Sequence, residues 1–339
     1  MINKIKITKK IKKISKVEII KNPSKYIEAI NKISRLSNLS TVELVAVLFD
    51  IKPAMADAIT LDKGLTQNLK EIKKLCRILS LEFAQSRFKY IVNSPRGIYE
   101  EIPINDSREG KIIFGISKSI SKAKNAAEYY HLKCIHPGYG KKFGRLMGYP
   151  ECCLDFGDYL NNPTGDSNNF GYKNPAVESL KRSKKFAWQL NVFTESLLPH
   201  YPCSLNCQKS IDYVDKVLAV LDKIMPDFSA HIKFNLKEPA SLYWSCADRI
   251  LLFGKFKKDK KRDKSEIKYH KSISKITSSE FYQENDMGYI KQLKKIEKMI
   301  KNGDRLVMES NHFTIYQGQK KICYIEKQNK YTPILVKPD

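Results

Sequence analysis

Four of the eight cysteines lie in two short motifs whose residue types suit metal binding. The first motif is GYPECC at residues 148–153, and the second is HYPCSLNC at residues 200–207. Thiolates are the ligands that soft metal ions and iron–sulfur clusters take in proteins. His200 is a spare nitrogen donor. The candidate metal ligands are Cys203 and Cys207 together with one or both of Cys152 and Cys153.

Both motifs lie where a helix is predicted to begin. Gly148 is expected to end one helix, and Pro150 suits the first turn of the next one. Ser204 is predicted to cap a long helix with Cys207 on its apolar side and Cys203 just outside its first turn. The positive end of a helix dipole lowers the pKa of a nearby thiol, which favours the thiolate that metals bind.

The cysteine spacing matches neither the paired CxxC motifs of a zinc ribbon nor the CxxxCxxC motif of a radical-SAM enzyme. Three hypotheses remain open: an iron–sulfur cluster or zinc site, simple packing of buried cysteines, or thiol redox or nucleophilic chemistry. We favour the metal or cluster, because two predicted helix starts each carry two thiols. Cys76, Cys246 and Cys323 lie in apolar runs and are predicted to be core residues.

The two motifs resemble a prokaryotic family, the domain of unknown function numbered 483. The resemblance spans about residues 40–255 and rests on residues 148–153, on PCS at 202–204, and on Cys207 and Ser210. The family has no assigned activity, so the resemblance implies a shared site and no particular reaction.

A glycine-rich segment directly before the first motif is predicted to begin a helix whose free backbone N–H groups could contact an anion. Lys142 and Arg145 are the predicted side chains for binding an anionic substrate or cofactor. Gly140, Gly144 and Gly148 recur at every fourth residue, and we favour close packing of another element as their role.

Two further groups of polar residues have ordinary explanations. Glu151 and Asp155 share one face of a predicted helix, where paired carboxylates can do acid–base chemistry or stabilise the helix dipole. We favour the dipole. His131, Cys134 and His136 form a small donor group without a fourth ligand, and we interpret them as loop residues with ordinary hydrogen bonds.

The positive charge of the chain is unevenly spread. Lys and Arg number 61 against 36 Asp and Glu, a net charge of +25. Residues 1–25 carry nine lysines and one acid (+8), and residues 255–264 carry seven basic and two acidic residues (+5), together 13 of the 25 charges. We expect weak, sequence-indifferent nucleic-acid contact through these two segments, because lysines act as point charges on phosphates.

The sequence predicts a cytoplasmic protein without membrane contact. No apolar run reaches the roughly 18 residues of a transmembrane helix. Residues 1–25 alternate lysine with isoleucine, unlike a secretory signal. In such a chain the cysteines do not predict a disulfide framework.

The pattern of elements predicts an α+β fold, with a mainly helical core, a small sheet and a C-terminal β-meander. Residues 1–84 are predicted to be helical, and the predicted strands are 88–92, 111–117, 242–253, 305–309, 313–317, 322–326 and 332–336. A helix is predicted at 289–300. The predicted divisions are a lysine-rich arm at 1–25, an α+β core at 26–254, a charged linker at 255–286 and a C-terminal domain at 287–339.

Two functions follow as hypotheses. In the first, the chain is a cysteine-ligated metal protein, either an iron–sulfur enzyme or a redox protein, in which Lys142 or Arg145 holds an anionic substrate. In the second, it is a non-catalytic nucleic-acid-binding protein whose cysteines hold a structural zinc or pack in the core. The sequence leaves the reaction and the oligomeric state open.

Overall fold

The structure is a computed structural model that describes most of the chain. The described residues are 15–37, 40–61, 65–92, 99–135, 138–161, 174–194, 196–244, 248–259, 261–276, 287–327 and 333–339. They form helices and two antiparallel sheets, so the predicted α+β class is confirmed. The chain divides into two compact units, one of Met1–Asn162 with Asp212–Ser229 and the other of Pro163–Ile211 with Ala230–Asp339.

The helices and strands follow in chain order. The helices are α1 (Lys16–Lys21), α2 (Pro23–Leu36), α3 (Thr41–Leu48), α4 (Leu65–Ile78), α5 (Ile120–Ile135), α6 (Tyr139–Leu146), α7 (Glu151–Asn161), α8 (Pro175–Lys181), α9 (Gln208–Ile224), α10 (Pro226–Lys237) and α11 (Met287–Asn302). The strands are β1 (Ala54–Leu61), β2 (Glu82–Gln85), β3 (Phe88–Val92), β4 (Tyr99–Pro103), β5 (Gly110–Ser117), β6 (Ala240–Tyr243), β7 (Asp248–Asp259), β8 (Lys264–Ile276), β9 (Arg305–Met308), β10 (His312–Gln317), β11 (Lys320–Glu326) and β12 (Ile334–Val336).

The first unit contains a five-stranded sheet in the order β1-β5-β3-β4, with β2 also paired to β5. Helix α5 lies close to this sheet because Gly115 has no side chain, and a Cβ there would come within 2.1 Å of the Ala123 carbonyl oxygen. The prediction that residues 1–84 are all helical is wrong, since β1 lies within them and β2 begins within them. The alanine-rich β1 has weak strand propensity of its own and is specified by its eight-residue pairing with β5.

Ser40 and Glu43 have the spacing of a capping box at a helix start, but no such box forms at α3. Ser40 occupies the N-cap position and makes no side-chain cap hydrogen bond. Glu43 instead forms an ion pair with Lys52. A buried cation outcompetes a backbone N–H for this carboxylate, because an unpaired charge in the interior is costly.

The second unit contains a seven-stranded sheet in the order β11-β10-β9-β8-β7-β6-β12. Apolar residues of α11, including Ile296 and Ile300, pack with residues of this sheet in one core cluster. The predicted meander is confirmed for β9, β10 and β11, whereas β12 pairs with β6 at the opposite edge. Sequence order alone does not specify such a distant partner.

The segment predicted as a charged linker forms strands where the structure describes it. Residues 255–259 complete β7 and residues 264–276 form β8, which together make a long hairpin. Lys268 is exposed between Ile267 and Tyr269, which face the core. The predicted single strand at 242–253 is likewise divided between β6 and β7.

In the described part of the chain, no helix is both long enough and apolar enough to cross a bilayer.

Candidate metal centre

The two cysteine motifs meet in space. The Sγ atoms of the four predicted ligands all lie within 4.8 Å of one another. In the described part of the chain, no other group of three or more histidine, cysteine or acidic side chains is gathered in this way. Cys153 and Cys207 are buried, and Cys152 and Cys203 are partly accessible to solvent. The coarse prediction of a cysteine site suited to a metal is therefore confirmed.

The first pair of thiols belongs to the first turn of α7. The backbone N–H of Cys153 donates to the Pro150 carbonyl at 2.9 Å, so the helix is wound from the proline onward, as predicted. The Sγ atoms of Cys152 and Cys153 lie 4.0 Å apart. The N-terminal end of a helix stabilises negative charge, which suits thiolate ligands there.

Two glycines allow α7 to turn back closely against α6. Gly148 has φ +78°, a left-handed conformation that favours glycine at the end of a helix. A Cβ at Gly144 would come within 2.2 Å of Leu154 Cδ2, so the Leu154 side chain of α7 packs directly on the backbone of α6 there. The prediction of close packing is confirmed for these two positions, whereas a Cβ at Gly140 would meet open space.

The segment that carries the second pair of thiols is held by hydroxyl groups of the preceding helical region. The buried Ser179 hydroxyl donates a short hydrogen bond to the Pro202 carbonyl. The Ser183 hydroxyl accepts the Leu205 N–H at 2.6 Å. These contacts fix the backbone on both sides of Cys203, so this thiol is not on a loose loop.

Helix α9 begins later than the sequence predicted. Its first residue is Gln208, and the Cys207 carbonyl accepts the Ile211 N–H at 3.0 Å. The prediction that Ser204 caps this helix is wrong, because the Ser204 carbonyl instead closes a turn with the Cys207 N–H. Cys207 consequently lies at the mouth of α9, and the boundary between the two compact units falls within the same continuous helix.

The remaining candidate donors do not join the cluster. His200 lies with its Nε2 atom 3.2 Å from the Ser210 hydroxyl oxygen. Cys76 is fully buried, and burial raises its thiol pKa to about 12. Cys323 is partly exposed in β11, and Cys246 lies outside the described residues.

The carboxylates beside the cysteines form ion pairs between α6 and α7. Glu151 accepts two hydrogen bonds from Arg145, at 2.7 and 3.1 Å, and this guanidinium lowers the pKa of Glu151. Lys141 contacts Asp155 at 2.8 Å and Asp158 at 2.9 Å. These ion pairs connect α6 and α7 on the side that faces solvent, which is consistent with a structural role.

The predicted anion-binding side chains lie on α6. Arg145 is engaged by Glu151, and the ammonium of Lys142 lies 4.4 Å from the centre of the Tyr139 ring. Their contact with an anionic ligand stays a prediction.

A buried ion pair next to the first motif was missed by sequence reasoning. Lys52 is 2% exposed, pairs with Glu43, and lies 5.9 Å from the centre of the Tyr149 ring. Burial lowers the pKa of Lys52 despite the opposing effect of Glu43, and burial raises the pKa of Tyr149. No sequence signal marks Lys52, because an isolated lysine between turn residues is ordinarily exposed.

His131 lies within α5 and is buried, so the prediction that it is a loop residue is wrong. Its Nε2 atom is 2.5 Å from a carboxylate oxygen of Glu101, and its ring stacks on Tyr90 with centroids 4.2 Å apart. The Cys134 side chain and His136 lie outside the described residues.

No family model, no curated protein and no solved structure matches the chain. The resemblance to the family numbered 483 therefore stays a prediction carried by the two motifs.

Proposed function

We propose that the chain binds one metal ion through Cys152, Cys153, Cys203 and Cys207. The observation that carries the proposal is the mutual approach of the four sulfur atoms within 4.8 Å. In a tetrahedral zinc site with Zn–S bonds of about 2.3 Å, neighbouring sulfurs are about 3.8 Å apart. Small side-chain rotations bring the four thiols to that separation.

Zinc is the metal that this arrangement supports best. A donor set made only of thiolates selects zinc or iron over magnesium and calcium. A four-iron cluster places iron and sulfide between its thiolates and so requires them farther apart than a single ion does. With all four positions filled by protein, the ion has no open position for water, which is typical of a structural site.

The role that follows is to join the start of α7 to the segment that leads into α9. Two buried and two accessible thiols hold one ion at the mouths of two helices, where the helix dipoles offset the excess negative charge of four thiolates. An iron–sulfur enzyme or redox protein is the second candidate. The accessible Cys152 favours it, because solvent-side access suits electron transfer.

Spectroscopy of the full chain distinguishes these candidates. Protein purified anaerobically should be colourless, and replacement of its metal by cobalt should give the intense visible bands of tetrahedral cobalt–thiolate coordination. A brown protein containing iron and inorganic sulfide would establish the second candidate instead. Colourless protein that takes up neither metal would contradict both.

Nucleic-acid contact through the lysine-rich segments is the remaining proposal about partners. Residues 1–14 and residue 260 lie outside the described part of the chain, and residues 255–259 and 261–264 belong to the β7–β8 hairpin. The exposed lysines of this hairpin support the proposal. The affinity of the chain for nucleic acid should fall steeply with salt concentration, as expected for phosphate contacts.

A further inference from the structure

The seven-stranded sheet of the second unit carries a row of cations. Lys255 of β7 pairs directly with Lys268 of β8, and Lys268 pairs directly with Arg305 of β9. Direct partners in antiparallel strands project their side chains from the same face of the sheet. Three positive charges therefore lie side by side across three strands.

The charges of this row are poorly balanced by the protein itself. Among the described residues, no carboxylate lies within ion-pair distance of Lys255 or Lys268, and Arg305 has Glu266 at 3.9 Å. Like charges directly opposite each other destabilise a pair of strands. An anion bound along the row would relieve this repulsion.

An exposed aromatic ring lies beside the row. A groove of about 1170 Å³ is lined by Lys255, Lys268 and Arg305 together with Phe234 of α10. The Phe234 side chain is 51% exposed and stacks on Phe253, with centroids 5.9 Å apart and planes 11° apart. A large exposed aromatic ring next to cations is typical of surfaces that stack nucleic-acid bases.

The other residues that line the groove indicate which kind of ligand it suits. Lys271 adds a fourth cation, with its ammonium 5.4 Å from the centre of the Phe253 ring. The acids in the lining are Glu238 and Asp304, and Asp304 accepts the Gly318 N–H at 2.9 Å. Cations spread along a groove suit an extended polyanion better than a single phosphate.

We propose that this groove binds single-stranded nucleic acid, with phosphates along Lys255, Lys268 and Arg305 and a base stacked on Phe234. A single strand offers both the repeated phosphates and an unpaired base face. A duplex keeps its bases stacked inside and has no face for Phe234, and an acidic peptide has no comparable flat ring at each repeat. The proposal is independent of the metal site, since all its residues lie in Ala230–Asp339.

The test measures binding of labelled oligouridine to the full chain by fluorescence anisotropy at several salt concentrations. A Lys255→Gln/Lys268→Gln variant should lower the slope of log K against log salt by about 1.4, since each phosphate contact with a single strand contributes about 0.7. The matched control is Lys70→Gln/Lys73→Gln, which removes the same charge from exposed positions of α4. Equal slopes in the two variants would overturn the proposal.

The stacking of a base on Phe234 is tested with separate variants. Phe234→Ala should weaken oligouridine binding by about tenfold, whereas Phe234→Tyr should retain it, because tyrosine keeps the stacking face. A duplex of the same length should bind less tightly and be insensitive to Phe234→Ala. Unchanged binding of oligouridine by Phe234→Ala would show non-specific charge attraction only and overturn the proposal.

Thermal unfolding verifies that the variants fold. Removing two opposed lysines should leave the unfolding temperature of Lys255→Gln/Lys268→Gln equal to or above that of the original chain, because it relieves repulsion. A large fall in that temperature would mean that the lysines stabilise the hairpin, and it would overturn the argument from uncompensated charge.

Discussion

The sulfur atoms of Cys152 and Cys153 lie 4.0 Å apart, although the two residues are adjacent in the first turn of one helix. Cys153 is 5% exposed, whereas Cys152 reaches solvent. The side chains of neighbouring residues on a helix normally point about 100° apart. Two adjacent thiols can therefore bind the same ion only where the start of the helix lies obliquely to that ion. Cys153 is therefore the inner ligand, shielded from solvent, and Cys152 is the outer ligand.

This difference predicts unequal effects of serine substitution. Cys153→Ser should weaken zinc binding by more than about 100-fold, because it removes a buried ligand that water cannot replace. Cys152→Ser should weaken it less, because solvent can occupy the outer position. Competition with a chromophoric chelator measures both dissociation constants. Unchanged affinity in both variants would remove the pair from the site.

Thiol labelling offers a second prediction. In metal-free native protein, iodoacetamide should react with Cys152, Cys203 and Cys323, which are at least partly accessible. Cys76 should stay unmodified, because it is buried and burial raises its pKa to about 12. Added zinc should protect Cys152 and Cys203 but not Cys323, as measured by peptide mass spectrometry. Equal protection of Cys323 would indicate a general effect of zinc rather than a site.

The junction between α6 and α7 predicts an effect of glycine substitution. Gly148→Ala should lower the free energy of unfolding by about 1–2 kcal/mol, because φ at this position is +78° and L-residues are strained there. It should also weaken zinc binding by displacing the first turn of α7. The control is Gly140→Ala, where a Cβ meets nothing within 4 Å. Urea unfolding compares the variants, and equal losses of stability would contradict the role given to Gly148.

The buried Lys52 predicts a pH dependence of stability. Burial lowers its pKa in the folded protein below the ordinary value of 10.5. Between the lowered pKa and 10.5 the unfolded chain binds more protons, so this group makes stability rise with pH across that window. Replacing the pair by Lys52→Met/Glu43→Gln should flatten the rise in urea unfolding measured at several pH values. If the stability of the double variant rises with pH by the same amount, groups other than Lys52 cause the rise.

Local patterns in the sequence were enough to predict the metal ligands but not the residues that hold those ligands in place. Cys152, Cys153, Cys203 and Cys207 were predictable because proline and glycine mark helix boundaries and thiols at helix starts suit metals. The hydroxyl groups that hold the second pair were not predictable. Ser179 lies 23 residues from Pro202, and no pattern of residue types announces a side-chain hydrogen bond over that distance.

The same distinction holds for the sheets. Strands β3 and β5 and the run from β9 to β11 are short segments rich in β-branched and aromatic residues that are readable from the sequence, and all were predicted. Strand β1 was missed because AMADAITL has little strand propensity of its own. The second half of β7 and all of β8 were missed because their many lysines suggested a solvated connection, although Ile267 and Tyr269 face the core.

X-ray absorption spectroscopy at the metal edge, combined with metal analysis of the full chain, tests the central claim most directly. We predict one zinc ion per chain surrounded by four sulfur atoms at about 2.3 Å, falling to three sulfurs or to no metal in Cys207→Ser and unchanged in Cys323→Ser. Folded protein that binds no metal, or a metal surrounded by nitrogen and oxygen instead of sulfur, would contradict the site formed by the four cysteines.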